Sequence, residues 1–238
     1  MEINLKKLAL LSLVLILMSL VMFGCGTKKL QVVKVSFDDA PSEAGIILGD
    51  KLEFFEQQGI KIEYIKFNSD AEELAAIASN QVDISRVNTN SDLFNAFNKG
   101  SRMKIVADGG HNTDKQIAVL LYSQEFDRKS DLGKKFMVGY IKGVRAYNDA
   151  LVEGDKDQEK IIDILTDNTL IDQADLIIKM NLPSLFPNGD ILKEDVIRDQ
   201  KLYLSKGLVK TEANVDQLVT TSYIDYANAK IGKYQKSQ

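Results

Sequence analysis

Strand and helix periods alternate, one for one, along the first half of the chain. "QVVKVSF" (31–37) is rich in β-branched residues and ends at Asp38-Asp39-Ala40-Pro41. Ser42 then stands as an N-cap for one helix, "EAGIILGDKLEFFEQQG", closed by Gly59. "IKIEYIKF" (60–67) alternates apolar and polar residues, as a half-buried strand does. After Asn68-Ser69-Asp70 comes a short helix, "AEELAAIASN", then a short strand, "VDIS" (82–85). Asn88-Thr89-Asn90 lead into a helix from Ser91 to Gly100, and "RMKIVADGG" (102–110) and "KQIAVLLYS" (115–123) follow as strands. Strands separated by single helices build parallel sheets through right-handed crossovers. The pattern predicts an α/β fold, a parallel-dominated sheet flanked by helices over 31–123.

From residue 124 to 233 the periodicity is helical. Phe136, Met137, Tyr140, Ile141, Val144, Tyr147 and Leu151 form one stripe on a helix over 134–154. Further helices fit 157–167, 172–180, 193–205 and 214–230, with a turn at Pro183, Pro187 and Gly189. Tyr223, Tyr226 and Tyr234 suit packing positions with hydroxyls in water.

Residues 1–24 have the shape of a sorting signal. Lys6 and Lys7 precede an apolar run, Leu8 to Met22, which Phe23-Gly24 carry to Cys25, the sole cysteine. A small residue just before a cysteine, after such a run, is what a bacterial lipoprotein signal looks like. Met22 and Phe23 depart from its usual leucine and small residue. On this expectation Cys25 carries fatty acyl chains, residues 25–30 form a tether, and the protein is lipid-anchored on the extracytoplasmic face of the cell membrane. The alternative is an uncleaved anchor helix with an incidental cysteine.

Charge and composition exclude several classes. Loss of Glu2, Lys6 and Lys7 makes the mature chain about one unit more acidic than the formal −4, against nucleic acid as a partner. One cysteine and one histidine, His111, permit neither an internal disulfide nor a structural zinc site. His111 lies in a Gly-His-Asn stretch that reads as a surface turn. No nucleophile–base set and no phosphate-cradling glycine loop stands out, so no enzymatic activity and no cofactor are expected.

Three stretches, "LEFFEQQGIKIEYIKF", "AEELAAIASNQVDIS" and "FNKGSRMKIVADGG", resemble substrate-binding proteins of ABC importers in the nitrate, sulfonate, taurine and thiamine-pyrimidine-precursor group. "KKFMVGYIKGVRAYNDAL" and "DYANAKIGKY" resemble that group's C-terminal helices, so the likeness covers most of residues 31 to 233. It implies a type II periplasmic-binding-protein fold, a small-molecule ligand, and an ABC permease with its ATPase as partners. It also exposes a departure. Such proteins have two lobes, the second inserted into the first, roughly 100 residues long. Here about 23 residues, "HNTDKQIAVLLYSQEFDRKSDLG", span that gap. The resemblance therefore implies a first lobe, with C-terminal helices packed on it and the second lobe largely absent.

In such a sheet ligands sit at the C-terminal strand ends, where helix N-termini point. Three loops qualify: Phe37, Asp38, Asp39, Ala40 and Pro41; Asn68, Ser69 and Asp70; Asn88, Thr89 and Asn90. The competing role for Ser42, Asp70 and Asn90 is helix capping alone. Sulfonate binders of the group often carry a small residue where Asp70 stands. "FDDAP" resembles the aromatic-plus-aspartate start of the pyrimidine-precursor binders, with Asp39 in place of the next aromatic. Carboxylates at Asp38, Asp39 and Asp70 repel anions at short range, which favours a neutral or cationic ligand over an anion. The expected function is an extracytoplasmic solute-binding lipoprotein. The alternative is a non-transporting lipoprotein, either a decayed paralogue or a protein-binding scaffold or sensor.

Overall fold

Val33 and Val35 point to one face of the first strand, β1 (Gln31–Ser36), while Lys34 between them is exposed. β1 pairs in parallel with β2 (Ile60–Ile65), in register from Gln31↔Ile60 to Ser36↔Ile65, and on its other side with β3 (Ile84–Asn88). Two further strands, β4 (Lys104–Asn112) and β5 (Lys115–Tyr122), complete the order β2-β1-β3-β5-β4. The computed structural model describes residues 29–113, 115–154, 157–180 and 183–235. The sorting signal and Cys25 lie outside the described residues.

The sheet is α/β, as the periodicity predicts, and four of its five strands run in one direction. β5 is the exception, antiparallel to both β3 and β4. No helix separates β4 from β5, and so short a link joins only antiparallel strands. The hairpin places β5 inside the sheet and β4 at its edge.

Helices cover both faces. On one lie α1 (Ala44–Lys51) and α2 (Phe54–Gln57). They pack with the long α6 (Ser130–Tyr147) and with α11 (Ser222–Ile231) over Val33, Val35, Ile84 and Tyr122. On the other lie α3 (Asp70–Ala78), α4 (Ser91–Asn98) and α9 (Lys193–Ser205), packed over Val87, Ile105, Val119 and Leu121. Short helices α5 (Gln124–Arg128), α7 (Gln158–Asp167), α8 (Ala174–Lys179) and α10 (Val215–Leu218) complete the chain. Among the described residues no helix is long and apolar enough to cross a membrane.

The helix expected up to Gly59 is two helices. Glu53, at φ 61°, breaks it and turns Phe55 into the core beside Phe136. Gly59, at φ 77°, does close it. Ser42 makes no cap, because a 3-10 turn (Pro41–Glu43) precedes α1. The helix expected over 214–230 is also divided. Val219 leaves it to bridge Ile105 at the edge of β4, and the Thr220 amide donates to the Ile105 carbonyl at 2.9 Å.

His111 is not in a surface turn. It belongs to β4 and is buried, its ring stacked on Phe186 at 3.5 Å. Its Nδ1 meets Asp108 Oδ2 at 2.9 Å. Tyr223 is likewise buried, and its hydroxyl donates to Asp127 at 2.7 Å rather than to water. The tail is held by Arg145, which donates to Asn188, Asn228 and the carbonyls of Pro187 and Gly232.

Candidate functional site

Because β1, β2 and β3 are parallel, their C-terminal ends share one edge of the sheet. Asp38 and Asn90, from the loops after β1 and β3, line one recess there with Asn88, the last residue of β3, and Asp70, the first residue of α3. Glu73, Leu74, Arg86, Val87, Asp92 and Leu93 complete its lining. The internal space is about 30 Å3, room for one or two waters. It is a shallow recess rather than an enclosed pocket.

The other expected residues stand around this wall. Phe37 is buried and packs on Tyr64 with ring centroids 4.6 Å apart. Asp39 adopts φ 57° and pairs with Lys66 at 2.5 Å. The Ala40 amide donates to the Asp38 carboxylate at 3.1 Å, and the Ala40 carbonyl accepts from the Glu43 amide. Pro41 begins the 3-10 turn. Asn68 is exposed, and its amide donates to Glu72 Oε2 at 3.1 Å. Ser69, not Asp70, caps α3, accepting from the Glu72 amide. Asn90 caps α4 through its side-chain oxygen and also lines the recess, so its two candidate roles coincide. Thr89 is buried and turned the other way. Its hydroxyl donates to the Gln116 carbonyl at 2.9 Å, tying β3 to β5.

Three charged residues at this edge escape the sequence patterns. Glu73 sits one helical turn inside α3 and accepts a short hydrogen bond from the Ser36 hydroxyl. Arg86 points from β3 into the recess and donates through Nε to the Gly109 carbonyl at 2.6 Å. Glu43 lies behind Asp38, 3% exposed, and its Oε2 has no hydrogen-bond partner. Glu43 and Glu73 stand beside apolar residues and Arg86 directly follows the expected strand, and none of these positions marks a site in the sequence.

Burial raises the Glu43 carboxyl well above its ordinary value, and the neighbouring Asp38 raises it further, against the pull of Arg86. Burial also raises Glu73, with Asp38 and Asp70 adding to it and the Ser36 hydroxyl opposing. At low pH both glutamates are neutral in the folded and unfolded states, and their contribution to stability is whole. It is lost as pH rises above the ordinary glutamate value of 4.5 and through the higher values they take in the fold. Glu43→Gln, which keeps the shape of the neutral acid, is therefore expected to reduce the fall in stability between about pH 5 and about pH 8. The expected gain at the upper end is about 1 kcal/mol, read from urea midpoints at each pH. An unchanged pH profile would contradict the assignment.

The fold is shared with several solved structures. It resembles the periplasmic nitrate-binding protein NrtA from Synechocystis PCC 6803, with TM-score 0.68 and 9% identity, over 86% of this chain and 90% of that one. It resembles a ligand-binding component of an ABC-type import system from Staphylococcus aureus, with TM-score 0.64 and 15% identity, over 83% and 99%. The periplasmic aliphatic sulphonate binding protein SsuA from Escherichia coli aligns with TM-score 0.59 and 10% identity, over 87% and 96%. No curated protein matches the chain. The family model described as NMT1/THI5 like matches residues 40–189, more than half of the 238 residues. The chain belongs to the NMT1/THI5-like family.

Proposed function

We propose that this protein is an extracytoplasmic solute-binding lipoprotein of an ABC importer, anchored through Cys25 and reduced to one lobe. Its partners are a permease, with that permease's ATPase, and a small solute. One observation carries the site. The C-terminal ends of three parallel strands, and the turns and helix start that follow them, bring Asp38, Asp70, Asn88 and Asn90 to a single recess, where sheets of this kind bind ligands. Structures of the same fold include proteins described as nitrate-binding and sulphonate-binding.

The residues that would otherwise lead into a second lobe form the β4–β5 hairpin, with Asn112 paired to Lys115. A single wall leaves one side of the ligand in water and cannot close over it. Losing several hydrogen bonds at roughly 1 kcal/mol each weakens binding by two or more decades. The expected affinity of the monomer is in the millimolar range.

Calorimetry against nitrate, taurine, aliphatic sulfonates and aminopyrimidines checks this. Sub-micromolar binding by the monomer would overturn the one-wall assignment. Absence of binding by every solute at millimolar concentration would remove the solute-binding assignment. Labelling of cells with a fatty-acid probe tests the anchor: Cys25→Ala should lose the label.

A second role, in a non-transporting lipoprotein, draws on the small recess and on exposed apolar residues elsewhere on the surface. Leu170 is 78% exposed while its amide donates to the Asp39 carbonyl, and Ile178 is 61% exposed. Genes for a permease and an ATPase beside this one, with no full-length binding protein, favour transport.

A further inference from the structure

Another recess, of about 590 Å3, opens at the edge of the sheet opposite to Asp38 and Asn90. Arg102 and Lys104 border it at the start of β4, and Arg128 borders it from α5, just after the end of β5. β4 runs the same way as β1, β2 and β3, and β5 runs against them. The start of β4 and the end of β5 therefore share the edge at which β1 begins.

Three cations line this recess against one carboxylate, Asp127, in a chain whose formal charge is −4. Asp127 is occupied, accepting from the Tyr223 hydroxyl at 2.7 Å. The nearby Asp216 is paired with Lys193. Arg128 meets Glu125 at 2.5 Å, and Lys104 donates to the Gln217 carbonyl. Arg102 is exposed and has no ion-pair or hydrogen-bond partner among the described residues. Ser101 lines the recess beside it, and its hydroxyl oxygen is buried without a partner. Gln124 and Asn214 add side-chain amides to the lining. A free guanidinium, with further cations and neutral donors around it, is the donor set that suits phosphate oxygens.

The tether leads to the same edge. Cys25 stands six residues before Gln31, the first residue of β1, a covalent reach of at most about 20 Å. Three strand spacings separate β1 from β4, about 14 Å across the sheet. A bilayer that holds acyl chains on Cys25 is thus within reach of Arg102 and Arg128.

We propose that this recess takes the phosphate group of an anionic phospholipid, with Arg102 as its main contact and Lys104 and Arg128 beside it. The headgroup then holds the strand-start edge against the bilayer, and the recess at Asp38 and Asn90 opens away from the membrane. This rests on the Cys25 anchor proposed above, which brings the edge to the lipid. Attraction to an anionic surface adds to what the acyl chains supply.

The test titrates the full-length protein, in micelles of a neutral detergent, with phosphatidylglycerol, phosphatidylcholine and inorganic phosphate. The readout is the amide NMR signals of Gly100 and Ser101. Phosphatidylglycerol should give saturable shifts, at least about tenfold tighter than phosphatidylcholine, whose trimethylammonium group meets the same cations. Inorganic phosphate should compete for the same signals at higher concentration, and added salt should weaken all three. Arg102→Gln should weaken phosphatidylglycerol about tenfold. Lys61→Gln, exposed at the start of β2 and outside the recess, should change it less than about twofold.

Equal affinity for the two lipids would overturn the anionic headgroup. Shifts with inorganic phosphate and none with phosphatidylglycerol would overturn the lipid as the ligand. Equal losses in Lys61→Gln and Arg102→Gln would replace the recess with diffuse charge along the edge. The Cys25→Ala chain separates this inference from the anchor on which it rests. Lipid shifts that persist while this variant keeps its fatty-acid label remove the anchor alone. A label lost with Cys25, with no lipid shift in either chain, removes the recess alone.

Discussion

Gly143→Ala is expected to destabilise the protein by about 3 kcal/mol, and Gly143→Val to prevent folding. Gly45 and Gly49 on α1 face Gly139 and Gly143 on α6. A Cβ on Gly143 would stand 2.6 Å from the Gly49 amide nitrogen and closer still to the Gly45 carbonyl oxygen. Both obstacles are backbone, so no side chain can swing away, and relief requires the helices to separate. That separation would loosen Ile46, Ile47, Phe136 and Ile141, which form the core on this face of the sheet. Gly207→Ala is the control. It has open space around it but a φ of 69°, so only backbone strain of about 1 kcal/mol applies. Urea midpoints of the two variants measure the difference. Equal losses would mean that the helix contact is slack.

Asp108→Ala is expected to cost about 3–5 kcal/mol. The carboxylate is buried in β4 and fully used. Oδ1 accepts from the Gly110 amide at 2.8 Å and from Gln116 Nε2 at 2.5 Å, and Oδ2 from His111 Nδ1 and the Phe186 amide, both at 2.9 Å. Its backbone bonds the same neighbourhood: the amide donates to the Gly189 carbonyl, and the carbonyl accepts from the Tyr140 hydroxyl. Truncation leaves several buried donors unmet. Asp108→Asn should cost less, about 2 kcal/mol, because one oxygen still accepts while the new amide group faces donors. Chemical denaturation gives both values. A near-neutral Asp108→Ala would mean that water replaces the carboxylate.

The sequence discloses strands better than their directions. The alternation in "IKIEYIKF" and the apolar run "QIAVLLY" mark β2 and β5, yet neither contains its neighbour's orientation. For β5 the brevity of the link after Asn112 decides that, while the sequence pattern treats 111–133 only as the stretch that spans the missing lobe. The pattern ends this strand at Ser85, three residues before Asn88, because Arg86 and Asn88 do not look like strand residues. In the fold they lie at the open end of a central strand, where polar side chains reach the recess. Asp38, Asp70 and Asn90 were legible because turn chemistry marks strand ends. Glu43 was not, because its place at the start of an apolar run gives no sign that its carboxyl is buried under the influence of Asp38 and Arg86. His111 misleads for the opposite reason. Its Gly-Gly and Asn-Thr neighbours suggest a turn, while the aspartate three residues earlier and Phe186, distant in sequence, bury it.

The β4–β5 hairpin also makes the sheet indifferent to what is spliced into its tip. Asn112 and Lys115 are already paired, so a chain leaving one and returning to the other does so with its ends side by side. The closure entropy of such a loop grows only with the logarithm of its length, about 0.6 kcal/mol per doubling. A reporter domain with adjacent termini, joined there through flexible linkers, adds little thermodynamic load to the five strands.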